Sequence, residues 1–492
     1  MRNKPFEVLI IILISELLLV GYSFYYNSTG AAFIKENVRF LSPDKLADFS
    51  LKDANKNADS LLKNYLSNTL SDDKIIKRTN LSKIGPKKQN AFLVNPVTEN
   101  GSALDNFFKS LLHQKDSTTV RIAHYGDSQL EGDRMSYIVR EKFHEKFGGS
   151  GIGYVPLKDL SPVSYVRKSS GNWAKYTVFH DRSSKNDYGI SGAVFRFSKF
   201  SVHQSDDAEN DTSSSKKDTH QITGGKPFYN ASVSMKMGSQ YAYNSVSILY
   251  GHATDKCIVN YYDNASGERV KTDTLAACTK VCMHKTQLGG YLNVKVEFAA
   301  DNSPDFYGMY FDSGKGVQVD NYAIRGHSGD GLMMINDDEL TQMLDLSNTK
   351  LVIFQYGANV VPYIHSDEAC EWISGIYYKL FMKFKKAKPD ISILVIGAGD
   401  MAKGGEGSYS SYPWLPKITE AQKRAALKAG CAYWDLFNMM GGLNSIITWT
   451  DKKLAVTNGH FSEKGQKIIA NELVEALMVE YNIYVHKQRM KK

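Results

Sequence analysis

The chain of 492 residues carries a formal net charge of +8, with 42% apolar and 23% charged residues. Such a length exceeds one ordinary domain and such a composition is globular, which excludes a disordered or fibrous protein. The basic residues lie in scattered clusters, at 383–388 and 487–492 for example, with no concentrated stripe and interleaved aromatics, so nucleic acid is not an expected partner.

Met1-Arg-Asn-Lys4 is a short basic flank, and residues 8–20 are almost entirely Leu, Ile and Val, interrupted by Glu16. This pattern predicts a signal peptide or anchor over residues 1–26. No small-residue cleavage site or lipidated cysteine follows, which favours an uncleaved anchor. The basic flank stays cytoplasmic, so the remainder is expected outside the membrane, in the periplasm or cell envelope. Residues 27–100 are rich in Lys, Asn, Asp and Ser and read as a polar stalk or linker.

A helix is predicted over 103–112. The β-branched and aromatic run 118–125 then predicts a buried strand that ends in Gly126-Asp-Ser128, and apolar residues at helical spacing predict a helix over 134–147. Ser128 therefore falls in a strand-to-helix turn. There a hydroxyl can be presented beside the backbone N–H groups of a helix N-terminus, although Asp127 or Ser128 acting only as a helix cap fits this stretch equally well. The glycine-rich segment 148–153 follows a helix and lacks a Gly-Lys-Ser/Thr ending, so it reads as a turn and not a phosphate loop.

Between 160 and 320 helical periodicity nearly vanishes. Seven short β-type runs (176–180, 193–200, 231–236, 245–249, 258–262, 292–298 and 306–311) predict an inserted β-sandwich, jelly-roll-like, over 158–319. Strands and helices alternate again from 319: strands at 319–324, 350–355, 391–396 and 431–436, helices at 340–346, 368–388, 419–429 and 461–481. Alternation of this kind implies right-handed crossovers and a parallel sheet covered on both faces. The expected architecture is an α/β/α sandwich formed by 101–157 and 320–485, interrupted by the β insert.

Five cysteines (Cys257, Cys278, Cys282, Cys370, Cys431) are too few and too scattered for a disulfide framework, and no four-ligand metal pattern accompanies them. Neither a metal nor another cofactor is expected.

In a parallel sheet, sites form at the carboxyl ends of the strands. Polar or glycine-rich turns follow four predicted strands, at Ser128, Gly329, Asn359 and Asp400, and a fifth, Asn458-Gly-His460, precedes the last helix. A serine, a histidine and backbone and amide donors are the parts that acyl transfer needs.

Gly126-Asp-Ser128, Ser328-Gly329-Asp330, Gly357-Ala-Asn359 and a late His460 with Phe461-Ser and Gly465, in that order, resemble the SGNH (GDSL-type) hydrolases across the whole α/β part. The resemblance implies Ser128 as nucleophile, His460 as general base, and an oxyanion hole made of the Ser128 and Gly329 N–H groups and the Asn359 amide. The β insert, the N-terminal anchor and the stretch 434–442 further resemble exported Bacteroidetes esterases related to peptidoglycan O-acetylesterases. One position departs from the family pattern. Thr457 stands where an Asp three residues before the histidine orients the imidazole. Thr457, Asn458 or a backbone carbonyl are possible substitutes, as are Asp435 and Asp451.

The expected function is an esterase that removes O-acetyl groups from a cell-envelope polysaccharide or peptidoglycan through an acetyl-serine. Two alternatives accompany it: a polysaccharide O-acetyltransferase using the same serine with a membrane acyltransferase partner, and a weak or inactive glycan-binding relative.

Overall fold

The computed structural model describes residues 92–98, 101–114, 118–203, 221–222, 229–405 and 408–491. The expected anchor and nearly all of the expected stalk lie outside these residues. Among the described residues no helix is long and apolar enough to cross a membrane.

A six-stranded sheet forms the centre, from β1 (Leu93–Val94), β2 (Thr119–Gly126), β3 (Gly316–Ala323), β4 (Thr349–Gln355), β5 (Ser392–Ile396) and β6 (Ala432–Trp434), in the order β1-β6-β5-β4-β2-β3. All neighbours are parallel except β1, which pairs antiparallel with β6. Residues 93–94, read from sequence as part of the stalk, are thus an edge strand, too short to show a period-2 pattern.

Successive residues of a strand point to opposite faces, and here both faces are covered. Ala123, Tyr125, Val352, Phe354, Ile393 and Val395 pack on one side with Leu340 and Leu344 of α3 (Asp337–Leu346), Leu380 and Phe384 of α4 (Asp367–Ala387) and Ile418 of α5 (Leu415–Lys428). Ile122, Ile353 and Leu394 face the other side, against Phe107 of α1 (Asp105–Leu112), Phe143 of α2 (Ser136–Phe147) and Leu473 of the last helix (Glu463–Met490). Each fully buried Leu, Ile or Phe contributes about 1.5–3 kcal/mol.

Between α2 and β3 the chain forms two large antiparallel sheets, one of five strands and one of six, the sixth being Gly153–Val155, which pairs with Asp305–Asp312. One buried cluster draws on both, including Val233, Val259 and Val296 from the first and Ile248, Phe306 and Met309 from the second. The second sheet also packs its other face, through Leu249, Tyr307 and Tyr310, into the cluster beside the parallel sheet. Burial on both faces explains why 245–251 and 305–312 are continuously buried, while Ala231–Met237 of the first sheet alternates. Buried charge ties the two parts together: Arg121 of β2 pairs with Asp320 of β3 at 3.1 Å and with Asp312 of the antiparallel sheet.

Cys278 and Cys282 are joined in a disulfide. The sequence reading gave no such pair, since four residues of regular strand would hold the two thiols too far apart. A register shift between Gly251 and Ala253 on the neighbouring strand marks the irregularity, and the Cα atoms lie 6.3 Å apart.

Candidate active site

Register assembles the site. Gly126 pairs with Ala323 on one side and Gln355 on the other, Gln355 with Ile396, and Ile396 with Trp434, so all five parallel strands end in one row. The turns bearing Ser128, Gly329, Asn359 and Asp400 therefore leave the same edge of the sheet.

Ser128 occupies the turn 127–130. Leu130 and Glu131 N–H groups donate to the Asp127 carbonyl at 3.0 and 3.2 Å, and the Asp127 carboxylate accepts from Gln129 N–H at 2.9 Å. The helix expected over 134–147 is found at Ser136–Phe147, and a 3-10 turn, Glu131–Asp133, lies between it and the tight turn that holds the serine. Neither Asp127 nor Ser128 caps α2, whose N-cap is Met135; the Asp127 carboxylate braces the turn itself. The serine hydroxyl instead lies 2.8 Å from His460 Nε2.

Asn458 settles the proton positions on His460. Its Oδ1 accepts from the His460 backbone N–H at 3.2 Å and sits 3.0 Å from the ring Nδ1. A backbone N–H is always a donor, so the Asn458 atom facing it is the amide oxygen, and Nδ1 must be the second donor to that oxygen. Nε2 is left unprotonated and accepts from Ser128 Oγ–H, as a general base requires. Among the alternatives named from sequence, Thr457 offers its carbonyl to Ala402 N–H at 2.8 Å, and the Asp435 carboxylate caps α6 (Leu436–Met440) through Asn438 N–H.

Burial pushes the His460 pKa below its ordinary value, and the guanidinium groups of Arg134 and Arg325 push in the same direction. Arg134 Nη1 donates to the Ser128 carbonyl at 3.1 Å. The imidazole is therefore neutral over a wider pH range than a free histidine, but the cation formed during catalysis faces two positive charges.

Two backbone donors are open. Neither the Ser128 nor the Gly329 N–H bonds to any described residue. Gly329 has φ +95°, and a Cβ there would meet Tyr356 Cδ2 at 2.9 Å, so this turn requires glycine. Asn359 differs: its amide donates to the Asp127 carboxylate and to the His327 carbonyl, both at 3.1 Å. It ties the nucleophile turn to the glycine turn. Burial raises the Asp127 pKa to about 7, opposed by the N–H groups it accepts from.

Gln129 escaped the sequence reading. Its Nε2 donates to the Gly459 carbonyl at 2.7 Å and its Oε1 accepts from Phe461 N–H at 3.3 Å, so one amide grips both sides of His460 from the residue beside the nucleophile. No local signal marks it, because its partners lie more than three hundred residues away. His124 is buried between Gln355 at 3.1 Å and Ser136 at 3.2 Å, with its pKa lowered to about 4 by burial. His327, also lowered to about 4 by burial, accepts from Gly331 N–H at 3.0 Å within its own turn. Asp400 accepts from Ser411 Oγ at 2.8 Å and Ile446 N–H at 2.9 Å and so braces the loops beside the site. One group among the described residues, Asp187, His252 and Asp305, has spacing suited to a metal. Arg196 pairs with both carboxylates, so a guanidinium already supplies their counter-charge.

No protein-family model matches the sequence, and no curated protein matches it. Among solved structures the chain is similar to a peptidoglycan O-acetylesterase at 19% identity, over 79% of this chain and 99% of that one, with a TM-score of 0.60. It also matches an acetyl xylan esterase (14% identity, 32% of this chain, 81% of that one, TM-score 0.26). A GDSL-like lipase from Parabacteroides merdae matches at 13% identity, over 32% of this chain and 72% of that one, with a TM-score of 0.27. The first of these shares its fold with this chain. In fold and in the order of its motif blocks the chain resembles the SGNH hydrolases.

Proposed function

We propose that this SGNH-type fold carries a serine esterase that removes O-acetyl groups from a cell-envelope polysaccharide. The observation that carries the reading is the 2.8 Å contact between Ser128 Oγ and His460 Nε2, with Nδ1 held by Asn458. Ser128 Oγ attacks the acetyl carbonyl while His460 Nε2 takes its proton. The oxyanion is received by the Ser128 and Gly329 N–H groups, with Asn359 able to share a donor as its bonds to Asp127 and His327 relax. His460 returns the proton to the departing sugar oxygen, leaving acetyl-Ser128. Water, deprotonated by His460, then releases acetate.

The substrate assignment draws support from the fold shared with a peptidoglycan O-acetylesterase along 99% of that chain. A location outside the cytoplasm fits the apolar N-terminal run and the Cys278–Cys282 disulfide, which an oxidising compartment preserves. The two antiparallel sheets are read as an inserted β-sandwich, now including Gly153–Val155, and the flanking segments as one discontinuous hydrolase domain.

Hydrolysis of p-nitrophenyl acetate by the purified chain, beside Ser128→Ala and His460→Ala, tests the reaction. Loss of about 10³-fold or more is expected in either variant, as for other serine–histidine pairs. Equal rates in all three proteins would refute it.

A further inference from the structure

Beside the nucleophile turn, between residues 131–133 and 321–324 of the parallel-sheet part and residues 154–195 of the antiparallel sheets, lies a cleft enclosing about 540 Å³, its open mouth included. Glu131, three residues after Ser128, lines it and is 9% exposed. Its carboxylate accepts no hydrogen bond from any described residue. The nearest cation is Arg325, whose Nε stands 4.0 Å from Oε2, at the outer limit of an ion pair.

Its oxygens open on the cleft with no donor supplied by the protein, and the other charges of the cleft do not share this condition. Asp159 accepts from Lys175 Nζ at 2.6 Å and from Leu160 N–H at 2.9 Å. Arg167 donates to the Leu160 carbonyl at 2.7 Å. Asp133 is bound by both ends of the Arg140 guanidinium, at 2.8 and 2.9 Å, and by Ser164 Oγ at 2.5 Å. Only Glu131 is left as an acceptor in search of donors. Burial and the facing Asp159 raise its pKa, with Arg325, Arg134 and Lys175 opposing. Those same cations make the cleft inhospitable to a metal ion or an amine. A neutral ligand rich in hydroxyl groups supplies donors without adding charge, and the exposed Leu160 at the rim offers an apolar surface to a sugar ring.

We propose that this cleft binds a sugar residue of the acetylated glycan, the Glu131 carboxylate accepting hydrogen bonds from its hydroxyl groups. The assignment rests on the esterase reading and adds to it a glycan subsite built at the junction with the antiparallel sheets.

The test measures kcat/KM on O-acetylated chitotetraose and on p-nitrophenyl acetate, for the unsubstituted chain, Glu131→Gln and Glu131→Leu, with thermal midpoints alongside. The ratio of glycan to small-ester activity falls at least tenfold in Glu131→Leu, the scale of a lost hydrogen bond to a charged group. Glu131→Gln, which keeps one acceptor, falls between. Neither variant lowers the thermal midpoint, since the protein loses only the long, half-exposed contact with Arg325. An unchanged ratio, an equal loss on both substrates, a lowered midpoint, or small-ester hydrolysis without any glycan hydrolysis overturns the subsite. If small-ester hydrolysis is itself missing, that failure falls on the esterase reading. The subsite is then decided by saturation-transfer NMR with chitotetraose: binding lost in Glu131→Leu upholds it, and binding absent or unaltered overturns it.

Discussion

Asn458→Asp places a carboxylate where a neutral amide oxygen now lies 3.0 Å from His460 Nδ1. The two side chains have nearly the same shape, so the chief change is a unit charge about 4 Å from the centre of the imidazole. Two unit charges at that distance interact by about 1 kcal/mol in water and about 4 kcal/mol at an effective dielectric constant of 20. Asn458 is exposed, which places the effect near the lower end, at roughly 1–2 kcal/mol. That corresponds to a His460 pKa about one unit higher and an imidazolium-forming transition state stabilised up to about tenfold. The sign is fixed by the base's role. His460 acts when neutral, so activity is lost as pH falls through its pKa. In the unsubstituted chain, burial and the two arginines set that acid limb below the ordinary histidine value. In Asn458→Asp the limb moves to higher pH by about one unit, and the plateau above it rises. Asn458→Ala leaves Nδ1 without its acceptor, and its plateau falls roughly 10- to 100-fold as the wrong tautomer and ring orientation become populated. The assay is kcat/KM for p-nitrophenyl acetate from pH 4.5 to 9. An Asn458→Asp profile superimposable on the original, or an Asn458→Ala enzyme of full activity, would show that Asn458 does not orient the base.

Gln129→Met keeps the volume and removes both hydrogen bonds that hold the turn around His460. We expect kcat for p-nitrophenyl acetate to fall about thirtyfold from the roughly 2 kcal/mol the two bonds represent, with KM changed less than twofold; a change in KM alone would contradict a positioning role. Arg121→Met leaves Asp312 and Asp320 buried without their shared counter-charge. Breaking such a pair costs about 3–5 kcal/mol, so calorimetry should show the midpoint of the described part lowered by several degrees, and an unaltered midpoint would mean that the carboxylates take up protons at little cost.

Glycine, asparagine and aspartate turns are local features, and they mark Ser128, Gly329, Asn359 and His460 as candidates, although the Asn359 amide is held by Asp127 and His327. Sheet register then explains why four turns far apart in sequence leave one edge: Gly126, Ala323, Gln355 and Ile396 lie in a single row. The continuous apolar runs of the parallel strands were equally legible, because burial on both faces removes the alternation that a half-exposed strand shows. Less was readable where the signal is short. The strand Leu93–Val94 has two residues, and the Cys278–Cys282 pair coincides with a register shift against the neighbouring strand.

The sequence by itself determined the order of strands and helices, the interruption by antiparallel strands and the candidate nucleophile and base, since each rests on periodicity or on a turn that a few adjacent residues specify. The replacement of an orienting aspartate by Thr457 was also visible, but what takes its place was not. That Asn458 meets Nδ1, that Gln129 spans to the histidine turn, and that Glu131 faces a cleft with no donor from the protein were decided by tertiary structure alone. Each is a side-chain placement fixed by the packing of distant segments, and the hydrogen-bonding state of a polar group depends on what that packing brings within about 3 Å of it.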